Sequence, residues 1–192
     1  MYQGLCREKF PGVANFPFKS VWRLKAPSKV NGFAWLLFHN RTLTHDNLKR
    51  RGWNIVSRCV LCEANTETAS HLFRSCEYST RIWDRYMTVL SVGGPFPIDL
   101  QQLFGCWCRE DPDDWLDWFR YLFLHGFVWE VWKERNERSF KDTSKAWQVI
   151  FHKIGRTLLH WIAAAGQIND QNAKDWRRLL ALACPPTRNN SI

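Results

Sequence analysis

Val30, Phe33, Ala34, Leu37 and Phe38 recur at the i, i+3, i+4, i+7, i+8 spacing that gathers apolar side chains on one helical face. Pro27 suits the first turn, where the N–H it lacks would have no partner anyway, so the pattern predicts a helix from Pro27. A second, short helix is expected from a Thr44 cap through Leu48, stopped by Gly52, with Lys49, Arg50 and Arg51 on its outer face. A third runs from Ser79 to Leu90 and buries Ile82, Trp83, Tyr86 and Leu90. Ile98 to Phe104 reads as a further short helix. Trp115, Trp118, Phe119, Leu122, Val128, Val131 and Trp132 are spaced for a long helix buried along much of its length. Asp142, Thr143 or Ser144 can cap the next helix, whose apolar face is Trp147, Ile150, Ile154, Leu158, Trp161 and Ile162. A last short helix is expected around Lys174 to Leu182. No strand alternation and no internal repeat appear, so the predicted class is all-α.

Glycine and proline divide the chain. Pro11, Gly12 and Pro17 punctuate an irregular N-terminal segment, 1–19, and Gly93, Gly94, Pro95 and Pro97 make the clearest break. The expected organisation is a small Cys/His-containing helical domain at 20–92, a linker at 93–97, and a bundle of long aromatic-rich helices at 98–184. A disordered tail follows at 185–192. The acidic cluster Glu110, Asp111, Asp113, Asp114 and Asp117 falls at the start of the long helix, where negative charge complements the helix dipole.

Composition excludes several classes. Of 192 residues, 45% are hydrophobic and 23% charged, an ordinary globular balance, and twelve tryptophans and 13 phenylalanines supply apolar area for a core. The longest apolar run, Phe33 to Phe38, is far below the roughly 20 residues of a membrane span. Arg7, Glu8 and Lys9 fall where a signal peptide needs apolar residues. The expectation is an intracellular protein, nuclear or cytoplasmic, neither secreted nor membrane-bound.

The net charge of +9 is unevenly placed. Residues 1–58 hold eleven Lys/Arg against two acids, Glu8 and Asp46, whereas the remaining basic and acidic residues balance. Such asymmetry suggests a nucleic-acid-facing end, although basic residues can also simply keep an aromatic-rich chain soluble.

Cys59, Cys62, His71 and Cys76 are spaced C-x2-C-x8-H-x4-C. Two thiolates two residues apart can grip one ion from a tight knuckle, and the His and last Cys can complete a tetrahedron. Three sulfurs and one imidazole suit Zn2+, at about 2.3 Å and about 2.0–2.1 Å respectively. With all four positions filled by protein, no place is left for an activated water, which predicts structural zinc. Cys6, Cys106, Cys108 and Cys184 lie outside this set, and His39, His45, His125, His152 and His160 form no ligand pair; structural roles are expected for them.

These residues resemble the reverse transcriptase zinc-binding domain of plant LINE-type (non-LTR) retrotransposon polyproteins. The resemblance runs from Val21-Trp22 through Ala26-Pro27-Ser28-Lys29-Val30 to Trp35, then Thr44, Leu48, Arg51 and Gly52. It continues through Cys59-Val60-Leu61-Cys62, Glu67-Thr68, His71-Leu72-Phe73, Cys76 and Ile82-Trp83. A second similarity, Trp129-Glu130-Val131-Trp132-Lys133-Glu134-Arg135-Asn136 with Arg138 and Phe140, looks like the W-x-x-W-K-x-R-N stretch that follows the zinc segment in such polyproteins. Two positions depart from the family, which usually has Pro after the first Cys and Gly or Cys after the second; here they are Val60 and Glu63. The chain shows no Tyr-x-Asp-Asp polymerase signature and no RNase H-like acidic strand pattern.

The resemblance implies a non-catalytic module that binds template RNA or target DNA beside a polymerase. Its implied partner is a reverse transcriptase domain, on another chain or in a lost parent polyprotein. Lys25, Lys29, Arg41, Lys49, Arg50, Arg51 and Arg58 precede or flank the knuckle and can form one face for phosphates if the first two helices pack against it. Trp53 or Phe73 can stack on an unpaired base or, alternatively, plug the core between knuckle and helices. In Lys133 to Phe140, the i, i+4 pairs Glu134–Arg138 and Glu137–Lys141 point to structural support. The alternative function is a purely structural or protein-interaction domain in which zinc only stabilises the fold.

Overall fold

The computed structural model describes residues 26–90, 99–107 and 115–164, without the side chains of Leu90 and residues 115–117. Outside these lie the expected segment 1–19, Lys25, the break at 93–97, the acidic residues from Glu110 to Asp114, Cys6, Cys108 and Cys184. The helix expected at Lys174 to Leu182 and the tail 185–192 lie outside as well. The described elements are α1 (Ser28–Phe38), α2 (His45–Arg50), a π-turn (His71–Ser75), α3 (Glu77–Leu90), α4 (Leu100–Trp107), α5 (Trp115–Lys141) and α6 (Trp147–Ala164). No strand occurs among the described residues, and the fold is all-α.

All five residues of the apolar repeat in α1 are buried. The helix ends where Asn40 turns left-handed at φ 50°, so that the N–H of Arg41 reaches Leu36 O at 2.7 Å and that of Asn40 reaches Leu37 O at 2.9 Å. This double closure satisfies carbonyls that a frayed end would expose. The same closure ends α2, with Gly52 at φ 88° in the left-handed position. Thr44 occupies the N-cap position of α2 but makes no cap bond; its hydroxyl donates to Asp46 Oδ1 at 2.6 Å. The N–H of His45 is taken instead by Glu67 Oε1 at 3.0 Å.

At 27 residues, α5 extends about 40 Å and forms the spine. α1, α4 and α6 pack on it, and α3 packs on α6 and on the π-turn. Gly126 lets α5 and α6 approach closely, since a Cβ there would stand 2.9 Å from Leu158 Cδ2. Asp142, expected as a cap for α6, instead follows the end of α5 at φ 49°, and α6 begins only at Trp147. In the intervening loop the N–H of Lys145 donates to Glu134 Oε1 at 2.8 Å, so a carboxylate from the spine ties down this connection.

Aromatic rings fill the interior. Trp83 of α3 meets Trp107 of α4 at 4.7 Å and Phe127 of α5 at 5.2 Å between centroids. α4 runs three residues beyond the expected Phe104, and the last of them is this buried Trp107. Tyr86 packs on Phe151 of α6 and donates its hydroxyl hydrogen to Phe151 O at 2.8 Å. Phe33 of α1 stacks on Trp132 at 5.3 Å and meets Phe73 of the π-turn edge-on at 6.2 Å. The Cys/His segment is thereby packed onto the helical core. Among the described residues no helix is long and apolar enough to cross a membrane.

Candidate metal centre

The segment between α2 and α3 has few apolar residues, so hydrogen bonds shape it. Cys59 N–H donates to Asn65 O at 2.7 Å, and Glu63 N–H donates to Cys59 O at 2.8 Å, closing a turn around Cys59 and Cys62. Glu63 takes φ 56° to do so. That left-handed conformation suits glycine best, because it lacks the Cβ that Glu63 must accommodate there. The knuckle closes nonetheless.

On the other side, Thr68 Oγ1 accepts the His71 N–H at 3.0 Å and starts the π-turn. The turn closes with Cys76 N–H donating to His71 O at 2.7 Å. Ser79 at the start of α3 donates its hydroxyl hydrogen to Leu72 O at 2.6 Å, anchoring the turn to the helix that follows.

These two pieces bring Cys59, Cys62, His71 and Cys76 together, with one ligand atom from each lying within 4.8 Å of all the others. Cys59 Sγ and Cys76 Sγ are 3.9 Å apart, and Cys62 Sγ and His71 Nε2 are 3.3 Å apart. Two thiolates each about 2.3 Å from a tetrahedral ion stand about 3.8 Å apart, so the four atoms fit a metal ion of zinc's size and preference. His71 Nδ1 faces Ser75 Oγ at 3.3 Å, an arrangement that leaves Nε2 toward the sulfurs. The hydrogen bond with Cys76 holds the Cys59 thiol well below its usual range, against the opposing effect of burial. The same bond and burial push the Cys76 thiol up. A metal cation bound by both sulfurs would replace the hydrogen bond between them.

Two further residues hold the centre, and neither is announced by its neighbours in the chain. Arg138 of α5 donates to Val60 O at 3.2 Å and Leu61 O at 3.1 Å, the carbonyls between the first two cysteines. It also pairs with Glu134 at 2.9 Å, the i, i+4 bond expected. Glu137, expected to pair with Lys141, pairs instead with Lys145. Arg135 donates to Glu67, whose carboxylate is fully buried behind the π-turn, from Nε at 3.1 Å and from its terminal nitrogen at 2.6 Å. The WKERN stretch is thus the support that the helical spacing suggested.

The candidate nucleic-acid residues are dispersed. Lys49 and Arg51 are exposed at the end of α2, and Arg50 beside them pairs with Asp46 at 2.6 Å. Arg58 donates from Nε to Glu63 O at 2.5 Å. Arg41 is exposed. Lys29 stands apart from the α2 run, over the Trp129 ring of α5 at 5.7 Å from its centroid. The two aromatic candidates separate: Phe73 is fully buried and is a core plug, whereas Trp53 is 63% exposed and is not. Cys106 is exposed on α4.

Residues 1–83 match the model of a family described as zinc-binding in reverse transcriptase. The chain is also similar to an Arabidopsis thaliana protein named as a putative ribonuclease H protein, 26% identical over 141 residues, which are 70% of this chain. The aligned part is 22% of that relative, so the chain spans about a fifth of its length. No solved structure matches.

Proposed function

We propose that the chain is a non-catalytic module in which zinc, held by Cys59, Cys62, His71 and Cys76, fixes the fold, and which binds RNA or single-stranded DNA beside a reverse transcriptase. The observation that carries the nucleic-acid reading is the exposed Lys49-Arg50-Arg51 run followed at once by exposed Trp53. Cations track phosphates, and an exposed indole stacks on a base of any identity, so binding should be salt-sensitive and indifferent to sequence. The four-protein-ligand set supports a structural metal, because an ion so enclosed has no position left for a reacting water. Descent from a plant LINE-type polyprotein, with the polymerase supplied elsewhere, is the reading the family match and the plant relative favour.

A second reading has its own support. Arg50 and Arg58 are each engaged by an acidic residue, and Leu43 and Val56 stand exposed near Trp53 in the chain. A protein partner would use such an apolar surface. Charge reversal at Lys49, Arg50 and Arg51, with zinc content measured on the same samples, separates the two. About tenfold weaker RNA and single-stranded DNA binding with a flatter salt dependence supports the first. Unchanged affinity across a salt series supports the second.

A further inference from the structure

Three helices converge on a groove of about 310 Å3, formed by the start of α1, the middle of α5 and the second half of α6. Lys29, Lys133 and Arg156 line it, one from each helix, with His160 on the α6 wall and Trp129 and Trp161 as aromatic lining. The Trp129 ring draws in both ammonium groups, Lys29 at 5.7 Å and Lys133 at 5.9 Å from its centroid. The single lining carboxylate, Glu130, is buried and already occupied, accepting from Lys133 Nζ at 2.7 Å and from Thr157 Oγ1 at 2.8 Å. Lys29 and Arg156 pair with no carboxylate among the described residues.

We infer that this groove is a second nucleic-acid contact, which takes backbone phosphates of single-stranded RNA between Lys29, Lys133 and Arg156. The inference rests on the nucleic-acid reading above and adds a site that the α2 run does not include. Like charges brought together from three helices repel one another; Glu130 offsets Lys133, and a bound phosphate would offset Lys29 and Arg156, which pair with no carboxylate among the described residues. The volume is near the lower end of small-ligand sites, room for a phosphodiester unit but not for a duplex. The partly buried Trp129 serves here to hold the two ammonium groups rather than to stack on a base.

The test compares the zinc-loaded chain, K29E/R156E and K49E/R51E for binding of a fluorescein-labelled twelve-nucleotide oligouridylate across a salt series. Lys29 and Arg156 are both exposed, so the double variant should keep its helical signal and zinc content; K29Q/R156Q stands in if it does not. The groove predicts about tenfold weaker binding for K29E/R156E and a salt slope shallower by about 1.4, roughly 0.7 for each phosphate no longer neutralised. Unchanged affinity and slope in this variant, while K49E/R51E is weakened, overturns the groove and leaves the α2 reading intact. An unmodified chain that binds no RNA at low salt overturns both.

Discussion

Arg135 and Glu67, 68 positions apart, meet in a buried ion pair in which the guanidinium fork holds the carboxylate at 2.6–3.2 Å. Glu67 also accepts the first N–H of α2 and backs the π-turn, so one carboxylate joins α2, the Cys/His segment and α5. Arg135→Met should therefore cost about 3–5 kcal/mol, the penalty of leaving a buried charge alone. The double change E67Q/R135M should recover much of that loss. Urea unfolding of the three proteins measures it, and a loss below about 1 kcal/mol for Arg135→Met would show the pair to be dispensable.

Arg138 reaches the two carbonyls between Cys59 and Cys62 without touching the ligand atoms themselves. Replacing it with Met should weaken zinc affinity by about tenfold, as loss of outer hydrogen bonds at metal sites commonly does. Competition against a chromophoric chelator reads this directly. An affinity within about twofold of the original would mean that the knuckle holds its shape unaided.

Removing a ligand has a larger and more local effect. Cys62→Ser should abolish stoichiometric zinc and expose amides between Trp53 and Trp83 to exchange, because binding at structural sites of this kind is worth about 10–16 kcal/mol. Amides at the α5–α6 contact should stay protected, since Phe127, Ile154 and Leu158 there are fully buried away from the ligands. A variant that retained one zinc with unchanged protection would refute the ligand assignment.

His125 provides a pH test away from the metal. It is fully buried on α5, donates from Nδ1 to Tyr121 O at 2.9 Å and leaves Nε2 without a hydrogen-bond partner among the described residues; burial lowers its pKa to about 4. The unfolded chain, with a His pKa near 6.5, takes up the proton first. Stability contributed by neutral His125 is thus complete above about pH 6.5 and lost as pH falls toward 4, about 3 kcal/mol in all. Metal ligands titrate in acid as well, so the measurement is the difference between the original chain and His125→Phe. The variant should show the shallower decline, and parallel curves would contradict the prediction.

The helices were legible because their signal is local. The repeat from Val30 to Phe38 set the buried face of α1 residue by residue, and the cysteine and histidine spacing named the four side chains that converge. What the sequence hid depends on partners distant in the chain. Glu67 reads as one polar residue among several in a loop, and nothing near it announces Arg135. Arg138 offered a local partner, Glu134, and the structure keeps that bond while adding the knuckle carbonyls. Trp53 and Phe73 carried the same two alternatives, and only the folded chain separates them: Phe73 is buried, whereas Trp53 follows the turn at Gly52 and stands exposed.

The π-turn makes one interval in the chain a gauge. On an ordinary α-helix, at about 100° per residue, side chains five positions apart diverge by about 140°. The wider turn, closed from Cys76 N–H to His71 O, winds more slowly and brings both residues round to the same side. Between Cys62 and His71 the chain loops, tied down through Asn65, Glu67 and Thr68 rather than by a helical count. Between His71 and Cys76 the count is fixed, because one residue more or fewer would rotate a ligand out of the tetrahedron.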